Sequence, residues 1–466
     1  MTGADRPHES PVAAPSRPRT LGLAVCAAAI LTGLISSWPS LGYYWNMDDL
    51  HLVRPYSAGE IAGTFGGHWD PDGIETIGFR PLTTAFNHAR AVVFGESLVA
   101  HRLFLLGLYA AALALMAGLI ARLGAPAPAV LIGAVFAIVA KNSYYHYVWV
   151  ADGVHVLQLV LCVLAMRAAF RYVDDGRRRA LAASVAWFGA AMLTREDSLA
   201  VLPAMLGVGL GLQVIWSGQP AAVTAARRRR LRTGGVAMAV VLPAWWLWRL
   251  ASVPDAPNVK LELAAFDRVL DMVVWTISLA GGVDPLWPAY VALALAAVAA
   301  TRLLPPVERR LAWVLLASAL VACAIGNVRA RANLLILPAL FYGGFLGVVF
   351  AGVARAVPRA RTAVVVVAVL AAAGAIRASR LEQIDLHPMS AGQIGRDWMF
   401  ISGRLGDATI PEVRRRVLEP KLAAFDLPDP DIDIVAWQQS VREKGRAGPR
   451  ADGGIFVAPR AFLEGR

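Results

Sequence analysis

Long apolar segments recur along this chain from Leu21 to Ile376, broken by short connections in which arginine is the commonest charged residue, and they leave few folds open to it. A helix needs about 20 apolar residues to cross a hydrocarbon layer about 30 Å thick, and in lipid each backbone N–H and C=O must be satisfied within the segment that carries it. The segments run Leu21 to Trp38, Leu98 to Leu123, Pro128 to Ala140, Val154 to Phe170, Ala180 to Leu193, Leu199 to Ile215, Gly235 to Leu250, Leu286 to Leu304, Leu311 to Ile325, Leu334 to Ala354 and Thr362 to Ile376. With 57% hydrophobic and 17% charged residues, an ordinary soluble globular protein is excluded, and so is a disordered one. The expected fold is an all-α polytopic membrane protein of about 11 transmembrane helices.

Counting arginine by alternate connections orients the chain. One side collects Arg17, Arg19, Arg122, Arg171, Arg177 to Arg179, Arg227 to Arg230, Arg232, Arg302, Arg309, Arg310, Arg355, Arg359 and Arg361, and the positive-inside bias makes that side cytoplasmic. The other side holds fewer basic residues and nearly all of the unusual polar clusters. Residues 1–20 then form a cytoplasmic tail, 21–376 a transmembrane module whose first extracytoplasmic loop is 39–97, and 377–466 an extracytoplasmic tail or small domain. Asp267 to Val283 is too short to span comfortably and is expected as an interfacial or re-entrant helix. Arg17 and Arg19 before a long first segment, with no good small-residue cleavage site near Trp38, predict an uncleaved anchor. The net charge of +12 comes from basic residues scattered between apolar runs, which marks topology rather than a nucleic-acid surface. Cys26, Cys162 and Cys323 each lie inside an apolar run, without the spacing of a disulfide framework or a zinc site. The bias to arginine and alanine over lysine fits a GC-rich, bacterial genome, so the cytoplasmic membrane of a bacterial cell envelope is the expected location.

The chemistry concentrates in the outer connections. Asp48 and Asp49 follow the aromatic stretch Tyr43-Tyr44-Trp45 just beyond the first segment. A carboxylate beside a low-dielectric wall is a stronger base than one in water and can deprotonate an acceptor hydroxyl, although an aspartate there also suits a helix N-cap before Leu50 to Arg54. Phe79-Arg80-Pro81-Leu82 opens a segment with Phe86, Ala89 and Val93 at helical spacing, which predicts an interfacial helix with Pro81 in its first turn. Arg80 at its start can address a phosphate, a carboxylate such as Asp48 or Asp49, or lipid headgroups. Arg195, Glu196 and Asp197 interrupt the apolar chain at a tight outer turn, and Arg329 and Arg331 form a second cationic cluster with Asn327 and Asn333. Tyr144, Tyr145, Tyr147 and Trp149 suit an aromatic belt at the end of a span, with sugar stacking as the alternative.

An acidic pair after the first span, a long outer loop entered through Phe79-Arg80-Pro81-Leu82, and His101 in the next span resemble the polytopic GT-C glycosyltransferases. The likeness is to the branch containing the tetratricopeptide-bearing protein O-mannosyltransferases and their repeat-free bacterial relatives. Trp149 with its neighbours, Arg195-Glu196, and Arg329 to Arg331 leading to Pro338 resemble that family's tryptophan-containing, basic-Glu and Arg-Tyr-Leu-Pro signatures. Ala151-Asp152-Gly153-Val154-His155 departs from the family's Gly-Arg turn, and no tyrosine follows Arg331. The resemblance implies transfer of a sugar from a polyprenyl-phosphate donor to a glycan, lipid or protein acceptor hydroxyl on the outer face, with inversion. Asp48 or Asp49 would be the base, Arg80, Arg195, Arg329 and Arg331 would hold the donor phosphate, and Glu196, His101, Trp149 and His155 would serve the acceptor or orient these groups.

No Walker loop, GxSxG element, dinucleotide fingerprint or DxD motif is present. His51, His68, His146 and His155 lack the spacing of a metal site, so no metal ligand is assigned and no cofactor is indicated, while a divalent cation stays compatible with the chemistry. A multi-span transporter or lipid flippase is the rival reading, because it too needs many spans with polar groups among them.

Overall fold

The computed structural model describes residues 18–42, 52–71, 78–95, 97–140, 143–200, 221–253, 266–277, 279, 287–326, 336–380 and 383. Among them the chain is helical and contains no strand. The first long helix, α1 (Pro18–Ser37), is followed by a short α2 (Ala58–Gly63) and by α3 (Pro81–Phe94). Next come α4 (Leu98–Arg122), α5 (Ala127–Val139), the single turn α6 (Tyr145–Val148), α7 (Val154–Asp175) and α8 (Arg178–Thr194). The second half contributes α9 (Ala221–Ala239), α10 (Val241–Ser252), α11 (Phe266–Ile277), α12 (Trp287–Ala300), α13 (Pro306–Gly326), α14 (Ile336–Ala356) and α15 (Pro358–Arg380).

Helices coincide with ten of the eleven expected segments, and the remaining one, 199–215, lies almost wholly outside the described residues. Among the described residues six helical stretches are long and apolar enough to cross a membrane, and exposed Leu23, Leu31, Leu247, Leu295, Val369 and Leu370 turn side chains outward, as surfaces facing hydrocarbon do. This is an α-helical membrane protein.

The centre of the bundle is α14, in which every residue from Ile336 to Gly352 is buried. It meets α5 backbone to backbone. A Cβ on Gly343 would stand 2.6 Å from the Gly133 carbonyl oxygen, and one on Gly347 would stand 2.7 Å from the Gly133 nitrogen and run into the Ala129 carbonyl. Gly343 and Gly347 are four residues apart on α14, and Ala129, Gly133 and Ala137 keep the same interval on α5. These are the small-residue stripes that let membrane helices close up. On its other side α14 packs along α13, where Arg355 pairs with Glu308 at 2.6 Å.

Ion pairs and caps define two ends. Where α7 stops, Arg122 and Arg227 pair with Asp174, and Arg230 donates to the carbonyls of Val173 and Asp174, so the arginine run of α9 caps the negative end of the α7 dipole. This lower end carries exposed Arg177, Arg178, Arg179, Arg228, Arg229, Arg359 and Arg361. The upper end gathers the C-termini of α1, α8 and α10, the N-termini of α4 and α7, and the end of α15, whose Arg380 donates to the Ile35 carbonyl. Within it, α11 lies against α13 and α14, with the Thr276 hydroxyl 3.3 Å from Cys323 Sγ.

Gly347→Ala should lower the thermal midpoint of the purified protein clearly, because overpacking a closed helix seam costs about 1–3 kcal/mol. Gly22→Ala, where an added Cβ meets nothing within 4 Å, should leave it unchanged. Equal midpoints for the two variants in the same detergent would refute the seam.

Candidate functional site at the upper end

The segments 52–71 and 78–95 form a plate over the upper end, and each anchor is a hydrogen bond to a helix terminus or to a neighbour in the plate. Thr83 donates to the Thr194 carbonyl at 2.8 Å, Arg90 to the Val150 carbonyl at 2.8 Å, and Tyr56 N–H to His88 Nδ1 at 2.9 Å. The Trp248 indole and the Ser252 hydroxyl both donate to the Phe65 carbonyl. Against its sequence pattern, α3 buries its polar stripe, Thr83, Thr84, Asn87 and Arg90, and turns Val92 and Val93 outward. That suits a helix at a lipid interface whose partner below is a set of polar helix ends.

The start of α3 is fixed by Glu196. One of its carboxylate oxygens accepts from the Phe79 N–H at 2.9 Å and the other from Arg80 Nε at 2.8 Å. Gly78 makes room for this, since its φ of +99° and missing Cβ leave space that Glu196 Oε1 fills. Pro81 at the first helical position needs no N–H partner, which completes the start of the helix. The Arg80 guanidinium also lies 5.7 Å from the centre of the buried Trp69 ring. Glu196 therefore sets the plane of the Arg80 fork.

Beside the turn that carries Glu196 lie further polar groups that are buried. Ser198 donates to the Ala191 carbonyl and accepts from Gln158 Nε2 at 3.0 Å. Asp152, His155 and Gln158 follow at three-residue intervals, so they share one face as the chain enters α7. Asp152 stands between two rings, with Oδ2 2.9 Å from His146 Nδ1 and Oδ1 3.2 Å from His155 Nε2, and all three side chains are buried. A carboxylate accepts only, so the His146 contact places a proton on Nδ1 and leaves Nε2 as an acceptor in the neutral ring. Among the described residues no group of three or more His, Cys, Asp or Glu side chains is placed to hold a metal ion.

The candidates from the sequence fall into three sets. Asp48, Asp49, Arg329 and Arg331 lie outside the described residues, as do Asn327 and Asn333. Arg80, Glu196 and Arg195 come together at the upper end, where Arg195 ends α8 with its N–H on the Ala191 carbonyl, and Arg80 meets Glu196 directly. His155 joins the buried aspartate, Trp149 is half-buried with its ring 6.2 Å from Tyr145, and His101 is fully buried with Nε2 3.0 Å from the Gly95 carbonyl and the Phe94 ring beside it. The sequence reading did not assign Asp152 and His146 to the site. The signal was a carboxylate three residues before a histidine at the mouth of an apolar run. Arg249, inside the apolar segment Gly235 to Leu250, is a further cation that was not singled out, and it is buried at 1% exposure.

Two results are expected from this geometry. Glu196→Gln should cost about 1.5–3 kcal/mol through the lost charge-assisted bond, and Gly78→Ala, which inserts a methyl group between Glu196 and Arg80, should cost a similar amount. The double variant should be little worse than either, and additive losses in a thermal-shift cycle would separate the two positions. In the plate, burial raises the Glu60 pKa, but hydrogen bonds from the Ser57 backbone, Arg54 and the Ser57 hydroxyl outweigh it and hold the carboxyl below its ordinary value. A depressed carboxylate stabilises the fold above its unfolded pKa and loses that contribution as pH falls through the folded value. Glu60→Gln should therefore narrow the stability gap between pH 7 and pH 3, and an unchanged gap in pH-resolved melting would contradict this.

No protein-family model matches this chain, and no curated protein matches it.

Proposed function

We propose that this chain is a polytopic membrane glycosyltransferase of GT-C type, moving a sugar from a polyprenyl-phosphate carrier to an acceptor hydroxyl at the upper end of the bundle. The observation that carries the reading is the gathering of charge at that end: Arg80 bound to Glu196 beneath a docked interfacial helix, with the buried Asp152 between His146 and His155 at the same end. Eleven spans, with residues 39–97 as the first extracytoplasmic loop and 377–466 as an extracytoplasmic tail, put the arginine-rich lower end in the cytoplasm and the site on the outer face of the inner membrane. Asp48, with Asp49 as its helper, takes the acceptor proton for in-line attack on the anomeric carbon. The carbon–oxygen bond to the carrier phosphate breaks with inversion, and the arginines stabilise the charge left on that phosphate.

Support also comes from the apolar lining at mid-height of the described bundle. A transporter keeps its binding groups near the bilayer midplane. Here the middle of the described bundle holds the α5–α14 seam and an apolar crevice lined by Leu113, Met116, Ile120, Val130 and Leu340.

Purified protein in nanodiscs, given radiolabelled polyprenyl-phosphate sugars and a membrane extract as acceptor, should transfer label. Asp48→Asn should slow this at least about 100-fold while leaving the protein folded. Full activity in a folded Asp48→Asn, Asp49→Asn double variant would remove the acidic pair from the mechanism. Label crossing the membrane without covalent transfer would favour the flippase reading.

A further inference from the structure

Among the described residues four arginines are buried almost completely: Arg54, Arg90, Arg102 and Arg249. Three are matched. Arg54 pairs with Glu60 at 2.8 Å and stacks on Tyr56, Arg90 donates to the Val150 carbonyl and Asn87, and Arg102 donates to the carbonyls of Val148 and Leu41, each at 2.8 Å. Arg249 is different. Among the described residues its Nε and Nη2 meet no acceptor and no carboxylate lies within ion-pair distance, while the guanidinium sits 5.2 Å from the centre of the Trp246 ring.

The position of Arg249 is as informative as its lack of an acceptor. Trp245 and Arg249, four residues apart, are the buried residues of α10, and the helix packs along α8. Val241 stands beside Gly189, so eight residues further up α10 Arg249 reaches the level of the turn after Thr194 that holds Glu196. The neighbouring Trp248 fixes that level independently, because its ring lies 5.6 Å from Phe79, the residue whose N–H binds Glu196. A buried cation without an anion is strongly unfavourable, and a planar fork of donors matches two oxygens of a carboxylate or a phosphate, of which the phosphate is the anion that membrane lipids carry.

We propose that Arg249 is a phosphate-binding residue at the upper end of the bundle, and that its counterion is the phosphate ester of a membrane lipid held beside Trp246. The lipid source follows from the place: the outward side of α10 is apolar, with Leu247 and Leu250 exposed, so a chain attached to the phosphate continues along hydrocarbon. Identifying that lipid as the polyprenyl carrier rests on the glycosyltransferase reading. The phosphate site itself does not.

The test uses the full chain in nanodiscs of phosphatidylcholine and reads the thermal midpoint and tryptophan fluorescence. A long-chain polyprenyl monophosphate should raise the wild-type midpoint by a few degrees and perturb the emission of the tryptophans around Arg249. Arg249→Met should abolish the shift. Arg249→Lys, which keeps the charge without the fork, should weaken binding on the order of 10-fold to 100-fold. Without ligand, Arg249→Met should melt at or above the wild-type temperature, since it removes an unmatched charge. An undiminished ligand shift in Arg249→Met overturns the proposal, and so does marked destabilisation of both ligand-free Arg249→Met and Arg249→Gln, which would show a structural role. Inorganic phosphate acting as well as the lipid overturns the membrane source. Phosphatidylglycerol acting as well as the polyprenyl phosphate supports a lipid phosphate and removes the carrier reading. Selective polyprenyl phosphate binding without sugar transfer keeps Arg249 and removes the transferase.

Discussion

The contact between α5 and α14 governs the rest of the bundle because lipid supplies no hydrophobic force to hold two apolar helices together. Association there depends on close packing and on what small residues allow backbones to do. Gly343 and Gly347 bring α14 onto Ala129, Gly133 and Ala137 of α5, leaving no space for a side chain. That contact fixes the axial register of two antiparallel helices. Since α14 is buried all round, the register passes to α13 through Glu308 and Arg355 and to α4 through Ile120, which meets Gly344. The heights of the loops at the upper end follow from it.

At that end the problem is reversed, because polar groups must be buried without losing their partners. Helix termini supply the answer, for their carbonyls lack intrahelical donors and arginine carries several donors on a long stem. Arg102 joins the carbonyls of Leu41 and Val148, drawing the segments after α1 and α6 onto the first turn of α4. Arg90 does the same between α3 and Val150. The polar stripe of α3 is thus a docking surface, and the outward position of Val92 and Val93 follows from that docking rather than from a failed core.

Apolar segment length carried most of what the sequence disclosed, since one segment's hydrophobicity decides whether it becomes a helix. Pro81 marked the start of α3 for an equally local reason. The site was less legible because its contacts join distant residues. Arg80 and Glu196 are 116 positions apart, and they looked like independent candidates, Arg80 for the donor phosphate and Glu196 for the acceptor or for orientation. Asp152 and His155 had readable spacing, but His146 reaches the same carboxylate only after the chain turns through α6. The interval between Gly343 and Gly347 was visible in the sequence, whereas the identity of the helix lying against it was not. Arg249 was hidden by company, because three tryptophans within four residues look like a membrane-interface belt whatever lies between them.

The pairing pattern bears on which cation an arriving anion would engage. At Arg80 the anion meets a guanidinium whose Nε already binds Glu196, and taking Arg80 away costs a charge-assisted bond of about 1.5–3 kcal/mol. It also frees the Phe79 N–H only if Glu196 moves, and that would loosen the first turn of α3. At Arg249 no bond among the described residues has to be broken at Nε or Nη2, and the desolvation of the guanidinium has already been met by the fold. The same phosphate therefore gains more at Arg249, and Arg80 is better suited to hold the interfacial helix in place while the lipid is bound. Trp248 lies between these roles, packed against Phe79 on one side and adjacent in sequence to Arg249, so the plate and the buried cation share one wall.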